Sequence, residues 1–394
     1  MILPNIHYVG VNDRTKHRFE GLWRLPQGIS YNSYVLDGGS ATALIDTVEA
    51  DFFPEFLQKL RAVLGDRPVD FLVVNHMEPD HSGAIALLRQ VYPKVRIVGN
   101  AKTLDMVQGY YGQRRDDDVE VKQGDTLQVG DRTLQFHLVP MLHWPETMVT
   151  FDAATGTLFT GDAFGCYGAL NGAVLDRDMD TAPYLPETER YYATILGKYG
   201  TPVQQALKRL APLPITAICP THGPVWTGDG VRAIIDTYDR LSSGRTQEGV
   251  VVCYGSMYGH TRQVAEAVAE GVAQAGVRKV IVHNLSVSKP GFVLADVFRY
   301  RGLAIGSPTY NGGLFPVVAD LVRRLHERDV KNHDLALFGG YTWGSAAPRL
   351  LTEAAEAAKM RLMAPALAWK QAPAADTLAA ARQLGHQLGQ AVRG

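Results

Sequence analysis

The 394-residue sequence predicts an α/β protein in two parts. Residues 1–245 read as a mixed sheet or sandwich with helices outside, and residues 250–394 as a parallel sheet with helices on both faces. Three observations carry this reading. The stretch Leu241-Ser242-Ser243-Gly244-Arg245-Thr246-Gln247-Glu248-Gly249 is short, polar and rich in small residues, as an exposed linker is. After it, β-prone runs alternate with helical periods, the pattern of a parallel sheet. Before it, many short strand-like runs are broken by Gly and Pro.

In the first part the strand-like runs are 34–36, 42–45, 71–74, 96–98, 134–136 and 157–159. The acidic triplet 116–118 after Arg114-Arg115 reads as a solvated loop. In the second part, Val250-Val251-Val252-Cys253-Tyr254 is a continuous apolar run typical of a buried strand. Further strands follow at 280–282, 303–305 and 335–338. Helical periods occupy 263–274, 316–325, 346–360 and 377–392.

Composition narrows the class. Hydrophobic residues make up 46% and charged residues 20%, which supports a packed core and argues against disorder. A formal net charge of −1 lacks the basic surplus of a nucleic-acid binder. Cys166, Cys219 and Cys253 are too few and scattered for a disulfide framework, and none forms a Cys-x-x-Cys pair. No apolar run reaches membrane-spanning length, and the N-terminus does not read as a signal peptide, so a cytoplasmic protein is expected.

The run 71–74 leads into Asn75-His76-Met77-Glu78-Pro79-Asp80-His81-Ser82-Gly83. Four potential ligands lie within six residues at a strand end. Pro79 is expected to prevent a regular helix here, letting the loop fold back on one point. Four coordinating groups crowded together would be costly to desolvate without a cation. His143, Asp162 and His222 also follow strand-like runs, so loops converging on one sheet edge would add them to the site. His7, His17, His137, His283, His326, His333 and His386 read as structural.

This order of ligands resembles the metallo-β-lactamase fold, and more narrowly the flavodiiron proteins, also called A-type flavoproteins. Glu78 is the decisive residue, because zinc hydrolases of that superfamily commonly carry His there. The resemblance implies an αβ/βα sandwich holding two irons, one by His76, Glu78 and His143, the other by Asp80, His81 and His222. Asp162 would bridge them, and no catalytic residue beyond these ligands is assigned. Charge supports a redox metal: two ferrous ions carry four positive charges, against three carboxylates and a bridging hydroxide. Trp144 and either Tyr191 or Tyr192 are expected nearby. Glu146 stands where the family more often has Asp.

In the second part, strand 250–254 leads into Gly255-Ser256-Met257-Tyr258-Gly259-His260-Thr261 at a helix start, an anion site of hydroxyls and backbone N–H groups. There is no Walker Lys and no Gly-x-Gly-x-x-Gly. Two further loops, with Pro308, Thr309, Tyr310, Asn311 and Gly312, and with Gly340, Tyr341, Trp343 and Gly344, follow strands at the same sheet edge. Tyr310, Tyr341 and Trp343 offer flat faces to a ring system. This half is similar to flavodoxin, and the resemblance implies FMN.

The two resemblances together imply a reductase. Electrons from an external donor such as rubredoxin would pass through FMN to the irons, reducing O2 to water, NO to N2O, or both. The resemblance also implies a head-to-tail homodimer or a dimer of dimers. A zinc hydrolase with a flavodoxin-like appendage and a non-catalytic electron carrier are the competing readings. Glu78 argues against the first, and seven intact ligands argue against the second.

Overall fold

A computed structural model describes all 394 residues, Met1–Gly394. The chain divides into two units, residues 1–192 with 199–242, and residues 193–198 with 243–394.

The first unit contains two six-stranded sheets and two two-stranded ones. One six-stranded sheet runs in the order Ile6–Tyr8, Tyr34–Asp37, Thr42–Ile45, Phe71–Val73, Arg96–Gly99, Val119–Glu120. The other runs Thr126–Val129, Arg132–Leu138, Met148–Asp152, Thr157–Phe159, Ala217–Cys219, Trp226–Thr227. Alternate residues of the first sheet, Tyr34 and Leu36, Ala43 and Ile45, Phe71 and Val73, share one apolar core with Leu134, Phe136, Met148 and Phe159 of the second. This i, i+2 spacing is the strand period, and it packs the sheets face to face. The intervening Val35, Leu44 and Leu72 are also buried, so both faces of the sheet are covered. Covering helices show the helical period: Phe53–Leu64 buries Phe53, Phe56, Leu60 and Leu64, and Asp229–Ser242 buries Val231, Ile234, Tyr238 and Leu241.

The second unit is a parallel sheet in the order Val280–Asn284, Gln247–Tyr254, Tyr300–Tyr310, Asp334–Tyr341, with Arg361–Leu362 and Leu367–Lys370 both pairing with the last of these. Val250, Val252, Ala304, Ala336 and Phe338 on one face pack with Val264, Val268 and Val272 of helix His260–Gln274 and Leu384 and Leu388 of helix Ala375–Arg393.

Several expectations need correction. Gln247–Gly249 belong to a strand, leaving only 243–246 between regular elements. Pro79 does not exclude helix altogether: it begins the single turn Pro79–Ser82, a first-turn position where the N–H it lacks would have no helical partner. Of the acidic triplet, Asp116 and Asp117 are exposed, but Asp118 pairs with the buried Arg89 and accepts from Ile97 N at 2.8 Å. Residues 308–310 and 339–341 are strand rather than loop. Asn311 and Gly312, both at positive φ (48° and 74°), then turn the chain into Gly313–Leu314. Helix Pro290–Arg299 and strand Leu367–Lys370 were not expected.

Candidate metal centre and flavin cavity

The four sequence segments that carry candidate ligands all leave sheet strands, and the structure brings their side chains together. Glu78 is extended (φ −58°, ψ 134°) and caps the turn that presents Asp80 and His81. Gly161, at φ 57°, lets the chain turn immediately before Asp162, where an added Cβ would sit 3.5 Å from His76 Cβ. All seven residues are buried, the most exposed being Glu78 and Asp80 at 8%.

Two clusters result. In one, His143 Nε2 lies 3.1 Å from Glu78 Oε2 and 3.3 Å from His76 Nε2. In the other, His222 Nε2 lies 3.1 Å from Asp80 Oδ2, and His81 Nε2 lies 3.5 Å from Asp80 Oδ1. Asp162 stands between them. Its Oδ2 is 3.1 Å from His143 Nε2 and 3.8 Å from His76 Nε2; its Oδ1 is 3.0 Å from His81 Nε2 and 3.5 Å from His222 Nε2.

Surrounding groups orient the rings. His76 Nδ1 meets Glu146 Oε1 at 2.7 Å, and His222 Nδ1 meets Ser30 O at 2.7 Å. Donation from each Nδ1–H leaves Nε2 as the lone-pair nitrogen facing the cluster. Thr221 Oγ1 donates to Asp162 Oδ1 at 2.7 Å. The walls are aromatic: Trp144 stands 5.2 Å from the His76 ring, and Phe19 and Tyr191 stand 5.6 and 5.7 Å from His222. Tyr192 packs instead on Tyr238.

The electrostatics fit cations. Asp80 Oδ1 and Oδ2, His81 Nε2 and His222 Nε2 are buried and have no hydrogen-bond partner, at a cost of about 1–3 kcal/mol each if left so. Burial works against charge on the imidazoles. Even so, hydrogen bonds to Asp162 and Glu78 raise His143 to about 9, and the adjacent carboxylates of Asp162 and Asp80 raise His222 to about 10. Burial likewise opposes ionisation of Glu78, but bonds from His143 and His76 lower it to about 2. Three carboxylates thus demand positive charge at the imidazole nitrogens, the demand that metal ions meet by displacing protons. Imidazole and carboxylate donors suit iron.

In the second unit, a cavity of about 620 Å³ opens at the C-terminal ends of the strands, within the usual range for a cofactor site. Every sequence candidate lines it except Gly259, together with Thr342 of the segment 339–344 and with Trp369 and Gln371, which were not foreseen. Gly259 acts through its backbone. At φ 93° it caps helix His260–Gln274, and its N–H donates to Ser256 Oγ at 3.1 Å. The helix start has no acidic residue in its first turn, as suits a phosphate. Thr309 has a second role: its Oγ1 accepts from Ala346 N and Ala347 N, both at 3.1 Å, at the start of helix Ala347–Ala357. Trp343 is 95% exposed and Tyr258 89%.

Residues 29–223 match the family described as ODP family beta lactamase, and residues 252–385 match flavodoxin. The anaerobic nitric oxide reductase flavorubredoxin of Escherichia coli K12 is 31% identical, over 98% of this chain and 81% of its own length. Among solved structures, rubredoxin oxygen:oxidoreductase from Desulfovibrio gigas superposes with a TM-score of 0.95 at 25% identity, covering 100% of this chain and 98% of that one. The flavodiiron protein from Giardia intestinalis gives 0.93 at 27% identity, covering 100% and 96%. The relationship spans both units, and the chain belongs to the flavodiiron proteins.

Proposed function

We infer that this chain is an FMN- and diiron-dependent oxidoreductase that reduces dioxygen, nitric oxide or both, with residues 1–245 as the metal domain and 250–394 as the flavin domain. The observation that carries the reading is the placement of the two Asp162 oxygens, one toward His143 and one toward His81, in a chain that also bears a flavodoxin-type cavity. His76, Glu78 and His143 would hold one iron, Asp80, His81 and His222 the other, and Asp162 would bridge. When bound, two irons supply electrons and Lewis-acid positions for a diatomic gas, and FMN supplies the electron relay.

The chain's own residues do the rest. Glu146 and the Ser30 carbonyl fix the ring faces of His76 and His222. Phe19, Trp144 and Tyr191 wall the centre and limit water. Ser256, Thr261 and the start of helix His260–Gln274 receive the flavin phosphate, and Tyr310, Tyr341 and Trp343 flank the ring. Electrons come from a rubredoxin-type carrier, the donor named for the Desulfovibrio relative. Exposed Trp343 and Tyr258 at the flavin cavity support a head-to-tail homodimer in which a second copy covers them. Three buried free thiols fit a reducing, cytoplasmic setting. No helix is long and apolar enough to cross a membrane.

The test is anaerobic purification with iron and FMN, followed by O2 and NO consumption with reduced rubredoxin. Consumption that disappears in His81→Ala supports the reading. Retained consumption in that variant, or none in the native chain with either gas, contradicts it.

A further inference from the structure

We propose that Glu20 is the carboxyl through which protons pass from solvent to the dinuclear pocket. The inference rests on the reductase reading. Reduction of O2 to two waters consumes four electrons and four protons, and reduction of two NO to N2O and water consumes two of each. The donor and flavin bring electrons only. The seven ligand residues are at most 8% exposed and are committed to metal, so a separate titratable group has to connect the pocket with water.

The hairpin pairs Arg18 with Arg24 and Phe19 with Trp23, and its Phe19 packs on a ligand of the metal site. Leu22 N closes its turn on Phe19 O at 2.9 Å. Phe19 is 2% exposed and stands edge-on to the ligand His222, with Tyr167 and Tyr191 on its other contacts. Trp23 is 3% exposed. Between these two anchors, Glu20 adopts the left-handed conformation (φ 49°) and is exposed. Its carboxyl is nevertheless held against protein. Oε2 accepts the Trp23 indole N–H at 3.0 Å, and the group lies within electrostatic reach of Glu78, His143 and Asp162. Phe19 therefore touches the His222 side of the centre, and Glu20 is the next residue along the hairpin.

Arg18 donates to Gly21 O at 3.4 Å, and Arg190 donates to Arg24 O at 2.9 Å. The hydrogen-bond partner of Glu20 is neutral, which leaves it able to gain and lose a proton. Crowding by protein raises its pKa above that of an ordinary glutamate, in the direction a proton carrier at neutral pH requires. In the transfer, the Glu20 O–H bond breaks, the proton goes to an oxygen of the substrate as electrons arrive, and bulk water reprotonates the carboxylate.

The test compares native chain, Glu20→Gln and Glu20→Ala, all loaded with iron and FMN. Both variants are expected to keep native iron and FMN content, and to lose at least roughly tenfold in turnover above neutral pH. Added acetate should restore turnover of Glu20→Ala and leave the native chain unchanged. Infrared titration of the native protein should show a protonated-carboxyl band that is absent from Glu20→Gln. Native turnover in both variants, loss of iron in step with activity, or failure of acetate to rescue would overturn the proposal while leaving the reductase reading in place. Failure of the native chain to reduce either gas would overturn both.

Discussion

Glu146 Oε1 lies 2.7 Å from His76 Nδ1, and the same oxygen accepts the Met77 backbone N–H at 2.9 Å. The Glu146 carbonyl in turn accepts from Asn100, whose side chain caps helix Ala101–Tyr111. A capped helix thus fixes a carboxylate, which fixes the ring of a metal-facing histidine. Outer partners of this kind typically contribute 10–100-fold to metal affinity.

Glu146→Ala is therefore expected to weaken iron binding by about 10–100-fold. Glu146→Gln should retain more, because its amide oxygen can still accept. Iron retained per FMN during dialysis against graded chelator measures both. Equal retention by Glu146→Ala and native protein would show that His76 needs no such support.

Asp162 faces both ligand clusters, whereas His222 faces one. Asp162→Ala should consequently lose both metals, and His222→Ala about half the metal content. Metal analysis alongside far-UV circular dichroism separates ligand loss from unfolding. Full metal content in a folded Asp162→Ala would remove the bridge from the account.

The flavin cavity depends on close backbone approach. Gly259 sits at φ 93°, so Gly259→Val imposes strain of about 1–3 kcal/mol on the loop before helix His260–Gln274. At Gly340 an added Cβ would lie 2.7 Å from Trp369 Cζ2, so the indole that lines the cavity would have to shift. Both Gly259→Val and Gly340→Ala should lower FMN affinity without changing iron content. Fluorescence titration of the flavin-free protein with FMN reads the first, and metal analysis the second.

If FMN of one copy feeds the metals of another, two inactive variants should complement. Co-refolded or co-expressed His81→Ala and Gly259→Val chains are expected to recover up to about a quarter of native turnover, since mixed dimers holding one intact electron path form at about half frequency. Absence of recovery in dimers verified by mass would place both cofactors of each electron path in the same chain.

The metal cluster was legible because its ligands are dense. His76, Glu78, Asp80 and His81 occupy one strand end, and the spacing itself declares a site. Flavin loops were legible because Gly, Pro and aromatic residues mark strand ends. Supporting residues were not, since their roles arise only in three dimensions. Glu146 joins His76 across 70 positions, and Ser30 joins His222 across 192. Trp369 and Gln371 line the flavin cavity from Leu367–Lys370 and the residue after it, a segment too short and mixed to read as an element. The turn at Pro79 was misread because proline excludes a helix interior but favours a helix start.

The most direct test is metal analysis of protein produced with iron, zinc and manganese all available, joined to Mössbauer spectroscopy. The account predicts about two irons per chain, magnetically coupled through the shared Asp162 site, alongside one FMN. Zinc filling both positions with iron present would contradict it and return the chain to the hydrolase reading.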